Sequence, residues 1–102
     1  MKEIIRGNSM PTASAKHILV NDESRCLDLK EQINSGQTTF EEVARDHSQC
    51  PSGVQGGDLG TFNQGDMVPE FDKVVFNDEV GVVHGPVQTQ FGFHLLKITK
   101  RD

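Results

Sequence analysis

Residues 56–76 decide the fold of this chain, and their sequence is GGDLGTFNQGDMVPEFDKVVF. The first part predicts a short strand between glycine turns, and a loop follows it. From Pro69 onward the apolar residues recur at helical spacing, and proline suits the first turn of a helix. Leu59, Met67 and Phe71 therefore approach one apolar spot from a strand, a loop and a helix. Such a spot can serve as a small pocket or as part of the core.

The length and the charge of the chain exclude several classes of protein. With 102 residues it fits one domain with one modest core, because domains cluster near about 100–150 residues. Its formal net charge is −5, from 10 Lys and Arg against 15 Asp and Glu, and it has neither Trp nor Tyr. Nucleic acids and acidic membrane surfaces attract basic patches, and exposed bases stack on aromatic rings. We therefore expect neither as a partner, and we expect a monomer.

The cysteines and the first residues predict a location. Cys26 and Cys50 are far apart, and no stretch resembles a secretory signal or approaches the ~20 apolar residues of a membrane span. Two such thiols stay reduced in the cytoplasm, so we expect a cytoplasmic protein. Residues 1–14 are expected to be a disordered leader, in which residues 1–9 are attributed to cloning. The domain is expected to cover residues 15–102.

Before the central stretch, the pattern predicts one strand and two helices. Residues 15–20 are a compact run that favours β structure. The capping candidates of residues 21–24 start a first helix, which ends at Gly36. A second helix starts at Thr39 with a capping box and ends before a loop at residues 51–57. Its buried apolar face is expected to extend to a histidine in the last turn.

After the central stretch, two strands are predicted. Residues 82–88 form a short strand that is interrupted at Gly85-Pro86, and residues 93–99 form the last one. The tight turn between them favours antiparallel pairing. The element order is β-α-α-β-α-β-β, which indicates an α+β fold with one sheet and helices packed against it.

A histidine lies on each of the terminal strands. Strand alternation turns His17 toward the same face as Leu19, and His94 toward the same face as Leu96. Each can be a core histidine bonded to backbone or hydroxyl. If the two strands are neighbours, the rings can instead meet as a neutral pair, because a close pair cannot both carry charge in a poorly solvated site. Thr89 is then a candidate third member.

Cys50 is a candidate nucleophile on residue type alone. It follows a helix C-terminus, where the dipole disfavours a thiolate, whereas a nucleophilic cysteine needs a base and a lowered pKa. A half-buried thiol that serves as a weakly polar wall is the favoured interpretation.

Two further motifs have ordinary explanations. His47-x-x-Cys50 has a spacing that suits zinc, but there is no second close pair of ligands. The glycine-rich residues 53–60 superficially resemble a phosphate cradle, but they lack its Lys-Ser/Thr end and precede a strand. We therefore expect no metal and no cofactor.

Several motifs of this chain, in order and in spacing, resemble those of the parvulin family of peptidyl-prolyl cis-trans isomerases. They are HILV at 17–20, FEEVA at 40–44, HSQCPSG at 47–53, GGDLGTF at 56–62, GDMVPEFD at 65–72 and GPVQTQFGFHLLK at 85–97. The resemblance extends from residue 15 to residue 101. The chain is most similar to the small free-standing parvulins of the bacterial cytoplasm.

The resemblance implies a fold, an activity and a set of site residues. The fold is a four-stranded antiparallel sheet surrounded by helices, the FKBP-like superfold. The activity is non-covalent, cofactor-free acceleration of Xaa-Pro bond rotation, and the partners are proline-containing polypeptides. The implied catalytic residues are His17, Cys50, Thr89 and His94. The implied pocket for the proline ring consists of Leu59, Met67 and Phe71, with Phe91 at its rim.

One departure from the family pattern bears on the substrate. The phosphate-directed branch carries a basic cluster after the first strand, where this chain has Asn-Asp-Glu at residues 21–23, with only Arg25 nearby. We therefore expect no requirement for phosphoserine or phosphothreonine. Two alternatives stay open, a non-catalytic chaperone that binds proline-containing segments and a small metalloprotein that uses the histidines.

Overall fold

The structure, a computed structural model, describes residues 11–101. The strands and helices follow one another in the predicted order, with a short 3-10 helix added before the second strand. They are β1 (Thr12–Val20), α1 (Glu23–Asn34), α2 (Phe40–His47), the 3-10 helix (Pro51–Gln55), β2 (Asp58–Asn63), α3 (Pro69–Val75), β3 (Val83–Thr89) and β4 (Gly92–Arg101). None of the helices in this described part is long and apolar enough to span a membrane.

The four strands form one sheet in the order β2-β1-β4-β3, and every neighbouring pair is antiparallel. The first and last strands are therefore adjacent at the centre of the sheet. Their register places His17 opposite Leu96 and His94 opposite Leu19. The predicted α+β fold with a four-stranded antiparallel sheet is confirmed.

The first strand begins at Thr12, three residues earlier than predicted and inside the expected leader. The reason is packing: Ala13 is small enough to be buried against Phe62 of β2 and Val75 of α3. The strand signal of these residues is weak, and the tertiary contact decides their conformation. The first ten residues of the expected leader lie outside the described residues.

The helix caps follow the sequence closely. Asp22 caps α1 by accepting a hydrogen bond from the amide of Ser24. Thr39 caps α2 by accepting from the amide of Glu42 at 3.1 Å, which is the predicted half of the capping box. His47, predicted to extend the buried face of α2, is exposed. It lies in the last turn, where its Nδ1 accepts a hydrogen bond from an α1 guanidinium on the surface.

The segment predicted as a loop at residues 51–57 contains the 3-10 helix, which starts at Pro51 and is followed by two glycines in left-handed conformation. Gly57, with φ of 86°, is the critical one. A Cβ built on it would lie 2.4 Å from the carbonyl oxygen of His17. Its own carbonyl accepts the backbone N–H of His17 at 2.9 Å. Glycine therefore allows this segment to approach β1 closely beside the candidate site.

Buried apolar side chains lie on both faces of the sheet. Helices α1 and α2 cover one face with a cluster made of Ile18, Val20, Cys26, Leu29, Phe40, Val43, Ala44 and Leu95. Helix α3 packs on the opposite face through Val75, against Ala13, Ala15 and Phe62. Since side chains alternate along β1, His17 lies on the α3 face.

Candidate active site

A cavity of about 350 Å³ opens beside the histidines, on the face of the sheet that α3 covers. Its wall is almost entirely apolar, and it includes no Lys, Arg, Asp or Glu among the described residues. The lining residues are His17, Leu19, Gln49, Cys50, Pro51, Leu59, Met67, Val68, Phe71, Phe91 and His94. Seven of the eight predicted site residues therefore share one open cavity, and the apolar spot of the central stretch is a pocket.

The two histidines meet across the adjacent strands. Their Nδ1 atoms are 3.3 Å apart, and their rings are nearly parallel, with an interplanar angle of 14° and centroids 5.4 Å apart. His17 is 6% exposed and His94 3%. Of the two arrangements that the sequence left open, the paired one is present.

The pair belongs to a longer chain of hydrogen bonds. At one end, Thr89 Oγ1 lies 2.7 Å from His94 Nε2. At the other end, His17 Nε2 lies 3.1 Å from Ser52 Oγ, and the Ser52 hydroxyl donates to the sulfur of Cys50 at 3.3 Å. Thr89 does not line the cavity, but it holds His94 from behind. The predicted group of four residues is thus connected through a fifth, Ser52.

The chain of bonds assigns the protons. Because the Ser52 hydroxyl donates to sulfur, its oxygen accepts from His17 Nε2–H. The free lone pair on His17 Nδ1 then accepts from His94 Nδ1–H. His94 Nε2 accepts from the Thr89 hydroxyl, whose oxygen accepts a backbone N–H of the β3–β4 turn at 3.1 Å. Every donor and acceptor in the pair is used with both rings neutral.

Burial favours the same neutral state. Burial, and to a smaller extent repulsion from a charged His94, lowers the pKa of His17 to about 4. Burial also lowers the pKa of His94 to about 4. At neutral pH the floor of the cavity is therefore polar but uncharged.

Phe71 joins α3 to the histidine pair. Its ring is 4% exposed and packs in a T-shaped arrangement against both imidazoles, at 5.4 Å and 78° from His17 and at 4.6 Å and 88° from His94. Such aromatic contacts contribute beyond their buried area. Phe71 is consequently both a wall of the cavity and a support for the hydrogen-bonded rings.

Ser52 was not predicted from the sequence as a site residue. The available signal was its place in the HSQCPSG motif, two residues after Cys50 and with a proline between them. A proline at the start of a helical turn fixes the backbone there. The 3-10 turn then brings the Ser52 hydroxyl to both the thiol and His17. The cavity is also lined by four residues that were not predicted to belong to the site, namely Leu19, Gln49, Pro51 and Val68.

The residues that a covalent or a metal-dependent mechanism would need make other contacts in the structure. The thiol of Cys50 receives a hydrogen bond from Ser52, whose oxygen is occupied by His17, so neither of these two residues is in position to take the thiol proton. His47 accepts from Arg25 Nη2 at 3.2 Å on the surface. Within residues 11–101, no group of three or more His, Cys, Asp or Glu side chains converges on a point where a metal ion could bind.

Comparison with known sequences identifies relatives. The rotamase family, described as the PPIC-type PPIase domain, matches residues 8–100. The foldase protein PrsA of Geobacillus kaustophilus (strain HTA426) is 40% identical over 96 residues, which cover 93% of this chain and 34% of the foldase. The chaperone SurA of Thiobacillus denitrificans (strain ATCC 25259 / T1) is 40% identical over 102 residues, covering 91% of this chain and 23% of the chaperone. The chain thus spans about a third or less of these two relatives.

Solved structures share the fold. PrsA from Bacillus anthracis superimposes with a TM-score of 0.86 at 37% identity, over 95% of this chain and 45% of that one. The parvulin NmPin of Nitrosopumilus maritimus gives a TM-score of 0.79 at 34% identity, over 92% of this chain and 100% of that one. A structure from work on the SurA-like chaperones PEB4 and Cj1289 of Campylobacter jejuni gives a TM-score of 0.84 at 32% identity, over 92% of this chain and 40% of that one.

These relatives overturn one prediction, that of a cytoplasmic location. Apart from NmPin, they are PrsA foldases and SurA or SurA-like chaperones, and Cj1289 is a periplasmic protein. The prediction was wrong because it rested on two unpaired thiols and on the lack of a signal sequence, and neither reports the location of a chain that spans only part of its relatives. The family itself is clear from the match over residues 8–100. The chain belongs to the PPIC-type, or parvulin, family of peptidyl-prolyl cis-trans isomerases.

Proposed function

We propose that this isomerase domain accelerates rotation about Xaa-Pro bonds in extended polypeptides by holding the proline ring in the 350 Å³ cavity. The step is non-covalent, and the substrate needs no phosphate. The observation that carries the proposal is the composition of this cavity, in which an apolar wall of Leu59, Met67 and Phe71 meets a floor of two neutral imidazoles.

An apolar cavity favours the twisted bond. Rotation about a peptide bond faces about 18–20 kcal/mol because amide resonance is lost on the way. The planar amide is more dipolar than the twisted one, so water stabilises the planar form more. A proline seated in the cavity exchanges water for side chains that carry no charge, and the planar form loses that advantage.

The required stabilisation is modest. Each tenfold acceleration takes about 1.4 kcal/mol, so a thousandfold acceleration takes about 4 kcal/mol. Seating of the ring, exclusion of water and one hydrogen bond formed only in the twisted state are enough for this amount. The nitrogen of the twisted bond regains a lone pair that can accept such a bond.

The hydrogen-bonded residues act by position. Isomerisation transfers no proton, and the protons of the histidine pair are already used between Thr89 and Ser52. The pair therefore supplies a rigid uncharged floor. Cys50 receives its bond at sulfur, which leaves its S–H free to turn toward the carbonyl oxygen of the bound Xaa-Pro bond.

The surroundings of the cavity support a substrate without phosphate. Arg25, the cation next to the segment after β1, donates to His47. Asp22 and Glu23 of that segment are exposed carboxylates. A phosphorylated side chain at this place would meet like charge, which is unfavourable.

The domain is further proposed to span Thr12 to Arg101 and to be active by itself as a monomer. Its proposed partners are polypeptides, and neither nucleic acids nor membrane surfaces are among them. Support comes from the net charge of −5 and from the match with NmPin over its full length. The proposal includes the prediction that the chain resembles the small free-standing parvulins. Gel filtration and an activity assay on residues 11–101 test it.

A protease-coupled or exchange-NMR assay on Ala-Xaa-Pro-Phe peptides tests the catalytic proposal. We expect Phe71→Ala to lower kcat/KM at least tenfold and Phe71→Leu, which keeps an apolar wall, to lower it less. Full activity in Phe71→Ala would contradict the role of the cavity. The competing hypothesis, a chaperone without catalysis, requires that the wild-type chain bind these peptides without accelerating isomerisation.

A further inference from the structure

A second cavity adjoins the first. Its volume is about 190 Å³, and it is lined by Val68, Pro69, Glu70, Thr89 and Gln90. Val68 lines both cavities, so the two share a wall. Thr89 links them chemically, because its hydroxyl bonds to His94 on the floor of the first cavity.

The two cavities differ in charge. The first has no Lys, Arg, Asp or Glu among its described lining residues and its histidines are neutral, whereas the second includes the exposed carboxylate of Glu70 and the exposed amide of Gln90. Glu70 makes no ion pair and no side-chain hydrogen bond within residues 11–101. This carboxylate is therefore available to a partner from outside the chain.

Chain geometry connects the second cavity to the substrate. Consecutive residues of an extended chain are about 3.3–3.6 Å apart. When a proline ring fills the first cavity, the side chain of one of its two neighbours is therefore within reach of the second cavity across Val68. We propose that the second cavity is a specificity subsite for this neighbouring side chain and that it favours Lys or Arg. The inference rests on the proposed function and names the substrate class of that site.

The lining of the subsite fits a long basic side chain. The aliphatic stem of Lys or Arg can lie along Val68 and Pro69, while its charged end reaches Glu70. Gln90 offers an amide oxygen as a second acceptor. A Glu in the same place would bring two carboxylates together. Because Glu70 is exposed, the preference for Lys over Glu is about two- to fivefold, as for other exposed ion pairs, and it weakens in high salt.

The test compares kcat/KM for peptides that carry Lys, Gln or Glu immediately before or immediately after proline. We expect Lys to exceed Glu about two- to fivefold at one of these positions at low salt and the difference to vanish in 1 M salt. Glu70→Gln should abolish the preference, and Glu70→Lys should reverse it. Glu31→Gln, which removes the same charge from α1 on the other face of the sheet, should leave it unchanged.

Three outcomes have distinct meanings. Equal kcat/KM for Lys and Glu peptides at both positions would overturn the subsite and leave the proposed function standing. A preference that Glu70→Gln keeps would overturn the assignment to Glu70. Absence of acceleration with every peptide would overturn the proposed function, and the subsite with it.

Discussion

The Nδ1 atoms of His17 and His94 lie 3.3 Å apart in the buried part of the site. One ring must donate and the other must accept, so the pair is held by a single proton between two neutral imidazoles. A second proton on His17 Nδ1 would turn a donor toward the Nδ1–H of His94, and a second proton on His94 Nε2 would break the bond that this nitrogen accepts from Thr89. The site consequently depends on the absence of charge, although it is made of two bases.

The first prediction concerns stability against pH. The folded chain holds both histidines neutral with a pKa of about 4, whereas an unfolded histidine has a pKa of about 6.5. Between these values the unfolded state binds more protons, so this contribution to stability is complete above about pH 6.5 and decreases as the pH falls toward 4. A shift of this size corresponds to about 3 kcal/mol for one imidazole.

Urea unfolding between pH 7.5 and pH 5 measures this effect above the range in which most carboxylates titrate. The control is His47→Gln, since His47 is exposed and outside the pair, and we expect this variant to keep the pH dependence. A free energy of unfolding that stays constant from pH 7.5 to pH 5 would contradict the neutral pair.

The second prediction concerns the support behind His94. Thr89→Val keeps the shape of the side chain but leaves His94 Nε2 and the amide of Phe91 without a partner. We expect a loss of about 1–3 kcal/mol in the free energy of unfolding, because buried polar groups are costly when unpaired. Thr89→Ser keeps the hydroxyl and should recover most of the loss. Equal stability of the Val and Ser variants would argue against the hydrogen bond.

The third prediction concerns the thiol. Cys50→Ser keeps a small group that accepts the bond from Ser52 and can donate toward the cavity. We expect substantial residual isomerase activity, within about tenfold of the wild type, because no covalent intermediate is needed. Complete inactivation, or a covalent adduct with substrate in mass spectra of the wild type, would revive the nucleophile hypothesis.

The fourth prediction separates backbone strain from a steric contact. Gly57 and Gly60 both have positive φ, 86° and 75°, but only at Gly57 would a Cβ meet an atom, the carbonyl oxygen of His17. We expect Gly60→Ala to cost about 1–2 kcal/mol through backbone conformation alone. Gly57→Ala should cost clearly more and also lower kcat/KM, because it displaces β1 at His17. Urea unfolding and the isomerase assay measure both, and similar losses in the two variants would count against this contact.

The fifth prediction concerns the far end of α3. Arg101 Nη1 donates to the carbonyl oxygens of Val75 at 2.9 Å and Asp78 at 2.6 Å, which holds the C-terminal end of the helix that carries Phe71. We expect Arg101→Ala to destabilise the chain by about 1–3 kcal/mol and to raise KM more than it lowers kcat. Lys73→Ala removes a positive charge from the exposed face of α3 and is the matched control. An effect as large in this control would point to charge rather than to the two hydrogen bonds.

The sequence by itself determined the features that a few neighbouring residues encode. Strand alternation placed His17 and His94 on their faces, and Thr39 capped its helix as predicted. The spacing around Pro69 predicted that Met67 and Phe71 approach one spot, and they line the cavity. Periodicity and capping act within a turn or two, so they can be read without knowledge of the rest of the chain.

Only the tertiary structure decided the contacts between distant segments. The bond of His17 to Ser52 spans 35 positions and its bond to His94 spans 77, so neither contact is encoded within a single helix or strand. The early start of β1 depends on Phe62 and Val75, which pack on Ala13. The second cavity lies between the start of α3 and the end of β3 with its following turn, two segments that are far apart in the sequence. Such contacts follow from how the elements pack on the sheet, and local propensity carries no information about that packing.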